Sequence, residues 1–150
     1  MILTSNLPTI LLVGQAPGPR HPRAHPATQS HVRLARLVGV TPAVLAARAA
    51  WVNVLPTFPG ARPGGDAFPR VLARQAAQDF PLMATTLLLG QQVARAFSLP
   101  PCYFLWQNFR GCRVAVVPHP SGRNRYWNDP ARVAHAAAFL RTALGLDAEP

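Results

Sequence analysis

The chain contains no lysine. All fifteen of its basic residues are arginine, and only Asp66, Asp79, Asp129, Asp147 and Glu149 oppose them, for a formal charge of +10 over 150 residues. Without a side-chain amine there is no Schiff-base nucleophile for a sugar aldehyde or a carbonyl cofactor. Cysteine is also scarce. Cys102 and Cys112 stand alone without CxxC spacing, which excludes a cysteine zinc site, an iron-sulfur cluster and a disulfide framework. His21, His25 and His31 have neither carboxylate companions nor convergent spacing, so no metal and no cofactor is expected. No apolar run approaches ~18 residues, and Asn6 and Pro8 interrupt the apolar start before any signal-peptide pattern can form. The expectation is a soluble, untargeted cytoplasmic monomer with no membrane partner.

The chain is 49% hydrophobic, enough for one domain with a core over residues 1–150. Its positive charge favours a polyanionic partner, because each phosphate neutralised releases counterions and arginine also forks onto phosphate or stacks on bases.

Strand and helix patterns alternate along the chain. Thr9 to Val13, Trp51 to Leu55, Thr85 to Leu89 and Cys112 to Val117 are short apolar runs suited to strands buried on both faces. Between them, Ser30 to Val38 is amphipathic, Thr41-Pro42 caps a helix running to about Ala50, and Asp66 is placed to cap a helix from Ala67 to about Phe80. In that helix Val71, Leu72, Ala76 and Phe80 are expected to face inward. Gln91 to Phe97 forms a further short helix, and Tyr103 to Trp106 a brief strand or a surface loop. Asp129-Pro130 opens a closing helix with Val133, Ala137, Leu140 and Leu144 on one face. The fold class is α/β: a three-layer α/β/α sandwich around a four-stranded parallel sheet. Functional loops then gather beyond the carboxyl ends of the strands.

Two of those loops, and one residue within the second strand, carry chemistry. Gly14-Gln15-Ala16-Pro17-Gly18 offers backbone amides to an anion or carbonyl but lacks the phosphate-loop ending. Asn53 stands among apolar neighbours; its amide either satisfies nearby backbone or reads a base edge. Pro118 to Asp129, PHPSGRNRYWND, sets donors, cations and aromatic faces on one loop. At its base, His119 in a Pro-His-Pro turn is suited to donate to a developing anion.

Together, GQAPG at Gly14 to Gly18, Asn53, LLLG at Leu87 to Gly90 and HPSG at His119 to Gly122 resemble the uracil-DNA glycosylase superfamily, and HPSG followed by RNRYWND is similar to its small phage and bacterial members. The resemblance implies an enzyme that flips uracil or a related base out of single- or double-stranded DNA and hydrolyses its N-glycosidic bond, in the nucleoid of a bacterial host or encoded by a phage. Gln15 and Ala16 would position water beside the base, Asn53 would read its edge, and His119 would stabilise the departing base. Ser121 and Gly122 would meet DNA phosphate, and Arg123, Asn124, Arg125 and Tyr126 would push into the minor groove.

The sequence also departs from the family pattern. Where one branch has a water-activating Asp, this chain has Ala16; where another has Glu, it has Gln15. Gln15 can orient a water but cannot take its proton near neutral pH. A weak or inactive base-recognition module is therefore the alternative on the same fold. A nucleotide or small-molecule hydrolase is a third reading, opposed by the charge and the RNRYW loop.

Overall fold

The computed structural model describes residues 7–19, 28–63 and 65–147. In chain order the elements are β1 (Ile10–Gly14), α1 (Gln29–Leu37), α2 (Pro42–Arg48), β2 (Ala49–Asn53), β3 (Ala61–Arg62), β4 (Gly65–Asp66), α3 (Arg70–Gln78), β5 (Thr85–Leu89), α4 (Gln91–Ala96), β6 (Gln107–Phe109), β7 (Cys112–Val117), a 3-10 turn (Arg125–Asn128) and α5 (Pro130–Ala143). The sheet order is β2-β1-β5-β7-β6, with the first four strands parallel.

Each central strand is apolar on both faces because helices cover both. Ile10, Leu12, Leu87, Leu89, Ala115 and Val117 meet Leu34, Ala35, Val38, Leu45, Leu140 and Leu144 of the α1, α2 and α5 layer. Leu11, Val13, Leu88, Val114 and Val116 meet Ala73, Ala77, Val93, Ala94 and Phe97 of the α3 and α4 layer. Each fully buried Leu or Val contributes roughly 1.5–3 kcal/mol by leaving water.

Two caps form as their residues suggest. Thr41 Oγ1 accepts the Val44 N–H at 3.2 Å and Asp129 Oδ1 accepts the Ala131 N–H at 2.9 Å, each with proline at the first helical position. In α5, Ala136 and Leu140 are buried, as is Leu144 just past its end, while Val133 and Ala137 are half-buried.

Three expectations are corrected. The four expected strands are present, and β6 extends the sheet, pairing antiparallel with β7 across Arg110-Gly111, where φ is 52° and 73°. Asp66 does not cap α3. It sits in the β3–β4 hairpin opposite Ala61, and α3 starts at Arg70 behind Pro69, whose ring holds Phe68 out of the helical region. Ala73 and Ala77 of α3 are buried and Ala76 and Phe80 pack against the same core as expected, whereas Val71 is 70% and Leu72 56% exposed. Small residues four apart let α3 lie close on α4, and that rotation carries the larger side chains outward. Among the described residues, no helix is long and apolar enough to cross a membrane.

Candidate active site

The ends of four adjacent parallel strands bring Asn53, Gln15, Gly90 and His119 to one rim. Strand pairing continues past β1, with the Val54 N–H donating to the Gly14 carbonyl and the Leu55 N–H to the Gln15 carbonyl, both at 2.9 Å. These bonds fix the backbone of Gln15, which is half-buried, as is Ala16 beside it. Next along the rim, Gly90 holds φ at 101°, and its N–H donates to the Val117 carbonyl at 2.7 Å. A Cβ at Gly90 would lie 3.2 Å from His119 Cβ and 3.9 Å from Gln15 Nε2. The absent side chain lets the imidazole and the amide approach from either side.

His119 is held from both of its ends. Its Nδ1 accepts the Ser121 N–H at 3.1 Å, so in the neutral ring the proton sits on Nε2. Burial lowers its pKa from 6.5 to about 4, leaving the ring neutral at physiological pH. The His119 carbonyl accepts two more bonds, from Asn124 Nδ2 at 3.1 Å and Trp127 Nε1 at 2.8 Å.

The same bonds decide what the rest of the loop can do. Asn124 spends its amide inward, with Oδ1 also accepting the Tyr126 N–H at 3.1 Å. Tyr126 packs edge-on to Tyr103 at 5.6 Å and to Trp127 at 5.1 Å. Of the residues expected at DNA, Gly122, Arg123 and Arg125 are exposed and Ser121 is half-buried, its Oγ accepting the Arg123 N–H at 3.2 Å. The Arg33 guanidinium of α1 packs against Gly122 and adds a cation to this loop.

Asn53 is half-buried at the end of β2, and Trp51 Nε1 donates to its Oδ1 at 3.2 Å. The two side chains share one face of the strand, two residues apart. Together they fill the space beside Gly14, where a Cβ would meet Asn53 Oδ1 and lie 2.6 Å from Trp51 Nε1. Sequence reasoning missed Trp51 and Trp127 as partners. The period-2 spacing from Asn53 was the available signal for the first, and no comparable signal marks the second.

His31 is buried with its ring 5.7 Å from that of Trp51. His21 and His25 lie outside the described residues, and among those described no three His, Cys, Asp or Glu side chains gather as a metal site.

A mostly parallel open sheet thus brings an amide and a neutral imidazole to either side of a glycine at its carboxyl rim, the place where ligands bind in open α/β sheets. The model of the uracil DNA glycosylase superfamily matches residues 3–143, and the chain belongs to that family. No individual curated protein matches it. The superfamily consists of DNA glycosylases, hydrolases of DNA repair, so a glycosylase-type function with DNA as partner follows from membership.

Proposed function

We propose that the protein is a monofunctional glycosylase that excises uracil, or a closely related base, from DNA by leaving-group stabilisation without a catalytic carboxylate. The observation that carries this reading is the Ser121 N–H bond to His119 Nδ1, which leaves a neutral imidazole with its proton on Nε2. As the bond between the sugar C1′ and the base N1 breaks, its electron pair moves onto the base. The Nε2–H donates to the base oxygen where that charge collects. One oriented donor of this kind lowers the barrier by roughly 3–4 kcal/mol. Water, oriented by Gln15, adds to C1′, and its proton passes to solvent or to the departed base. Flipping costs a few kcal/mol, least for unpaired or single-stranded targets, so a slow enzyme favours weakly paired uracil.

The test is incubation with labelled single- and double-stranded DNA containing one uracil, followed by a gel with and without alkali. Uracil-dependent breaks that appear only after alkali are expected, because the chain has no lysine for lyase chemistry. Nicking without alkali contradicts the monofunctional reading. Tight binding with no product from either substrate favours the recognition module instead.

Base choice follows from the Trp51 bond. An indole N–H only donates, so it fixes Asn53 Oδ1 and leaves the amide NH2 to meet the base. That NH2 matches the O4 acceptor of uracil and opposes the amino donor of cytosine. Trp51→Phe frees the amide to turn over. The ratio of inhibition constants for free cytosine over free uracil should then fall about tenfold, within the ~1–3 kcal/mol such a contact supplies. An unchanged ratio would show that the indole does not set the orientation.

A further inference from the structure

Away from the rim, a cleft of about 370 Å³ opens between the β3–β4 hairpin, α3 and α4, lined by Arg62, Phe68, Arg70, Arg74, Gln92 and Arg95 among others. Four of the fifteen arginines therefore converge on one concavity, and no acidic residue lines it. Among the described residues the ion pairs are Arg132 with Asp129 and Arg141 with Asp147, so none of the four cleft guanidiniums is neutralised by a carboxylate. Asp66, the acid on the hairpin, pairs its backbone with Ala61 and is not part of the lining. Like charges held this close repel one another, and a bound polyanion relieves that repulsion.

The β3–β4 hairpin links the cleft to the His119 loop. Arg123, on the His119 loop, reaches the hairpin, its Nη1 lying 3.3 Å from where a Cβ of Gly65 would be. Gly65 pairs directly with Arg62, the cleft residue on the facing strand. On the other side, Gln92 stands in the first turn of α4, two residues after Gly90, the rim glycine beside which a Cβ would crowd His119. A cationic track thus runs from Arg123 through Arg62 to Arg70, Arg74 and Arg95.

We infer that this four-arginine cleft is a second phosphate-binding site, holding the sugar-phosphate backbone of the DNA strand that leads away from the flipped nucleotide. The inference rests on the proposed DNA partner but not on catalysis. It is therefore tested by binding to undamaged DNA, where failure of the glycosylase reading leaves the result intact.

The experiment compares wild type, the triple variant Arg70→Gln/Arg74→Gln/Arg95→Gln and a charge-matched control, Arg36→Gln/Arg48→Gln/Arg113→Gln, on a duplex of about 20 base pairs over a range of salt. Each phosphate contact contributes about 0.9 to the slope of log K against log salt. The cleft variant should lose about 2 to 3 from that slope and bind at least tenfold more weakly, while the control stays near wild type. Equal losses in both variants, or none in either, overturn the site.

A second measurement uses wild type alone, mapping arginine modification by phenylglyoxal with and without DNA. Protection of Arg70, Arg74 and Arg95 by DNA supports the site, and unchanged modification overturns it. Inorganic phosphate and a mononucleotide serve as further probes. Protection by these small anions but not by duplex would assign the cleft to a free phosphate ligand and overturn the backbone reading.

Discussion

Replacing His119 with alanine should lower single-turnover uracil excision by about 10² or more, with DNA affinity changed by less than tenfold. The size follows from the environment of the ring. In water an imidazole donor competes with solvent for the departing base; here burial holds the ring neutral and the Ser121 N–H fixes its tautomer before substrate arrives. The donor therefore needs no reorganisation as charge develops, which is the condition under which a single hydrogen bond is worth most. Carbonyl contacts from Asn124 and Trp127 hold the backbone of His119 whatever its side chain, so His119→Ala should keep the loop folded and isolate the chemistry. A rate within a few fold of wild type would remove His119 from the mechanism.

The second large effect is a gain. Gln15→Glu should raise excision about tenfold or more, because a positioned carboxylate supplies general-base assistance typically worth 10²–10⁴. Gln15 is well placed for this. Its carbonyl is pinned by Leu55, and its amide nitrogen lies across Gly90 from His119. The gain should also carry a pH signature that wild type lacks. Glutamate assists only when ionised, so the advantage is present above its pKa, about 4.3 when unperturbed, and is lost as pH falls through it. No gain at any pH would mean that the amide of Gln15 does not face the attacking water.

Much of this site was legible in the sequence because strand ends are legible. β5 and β7 begin and end where their apolar runs do, and the residues following them, Gly90 and the His119 loop, had to reach the rim of a parallel sheet. Gln15 follows by the same reasoning, although β1 runs to Gly14, whereas Asn53 was expected inside a strand from Trp51 to Leu55 and stands at the rim because β2 runs two residues earlier, from Ala49 to Asn53. The capping proline pairs at Pro42 and Pro130 likewise fixed two helix starts.

What was hidden depends on which neighbour a segment meets. Asp66 carried a capping signal, but pairing with Ala61 and the restriction imposed by Pro69 overrode it. Val71 and Leu72 looked like core until close packing on α4 selected the alanine face. The inward turn of Asn124 and Trp127 depends on the path of a loop with no periodicity, so sequence pattern could not separate them from Arg123 and Arg125, which stay exposed. Nor could spacing reveal the arginine cleft, whose four cations come from three separate segments, at positions 62, 70 and 74, and 95.

The measurement that bears most directly on the central claim is the pH dependence of uracil release by wild type under single-turnover conditions, from about pH 5 to 8. A neutral Nε2–H donor with a pKa of about 4, beside an amide that does not titrate, predicts a flat profile across that range. A rate that climbs as pH falls through about 6.5 would mean that a protonated imidazole is the active form. That result would contradict the account of a neutral donor held ready by Ser121.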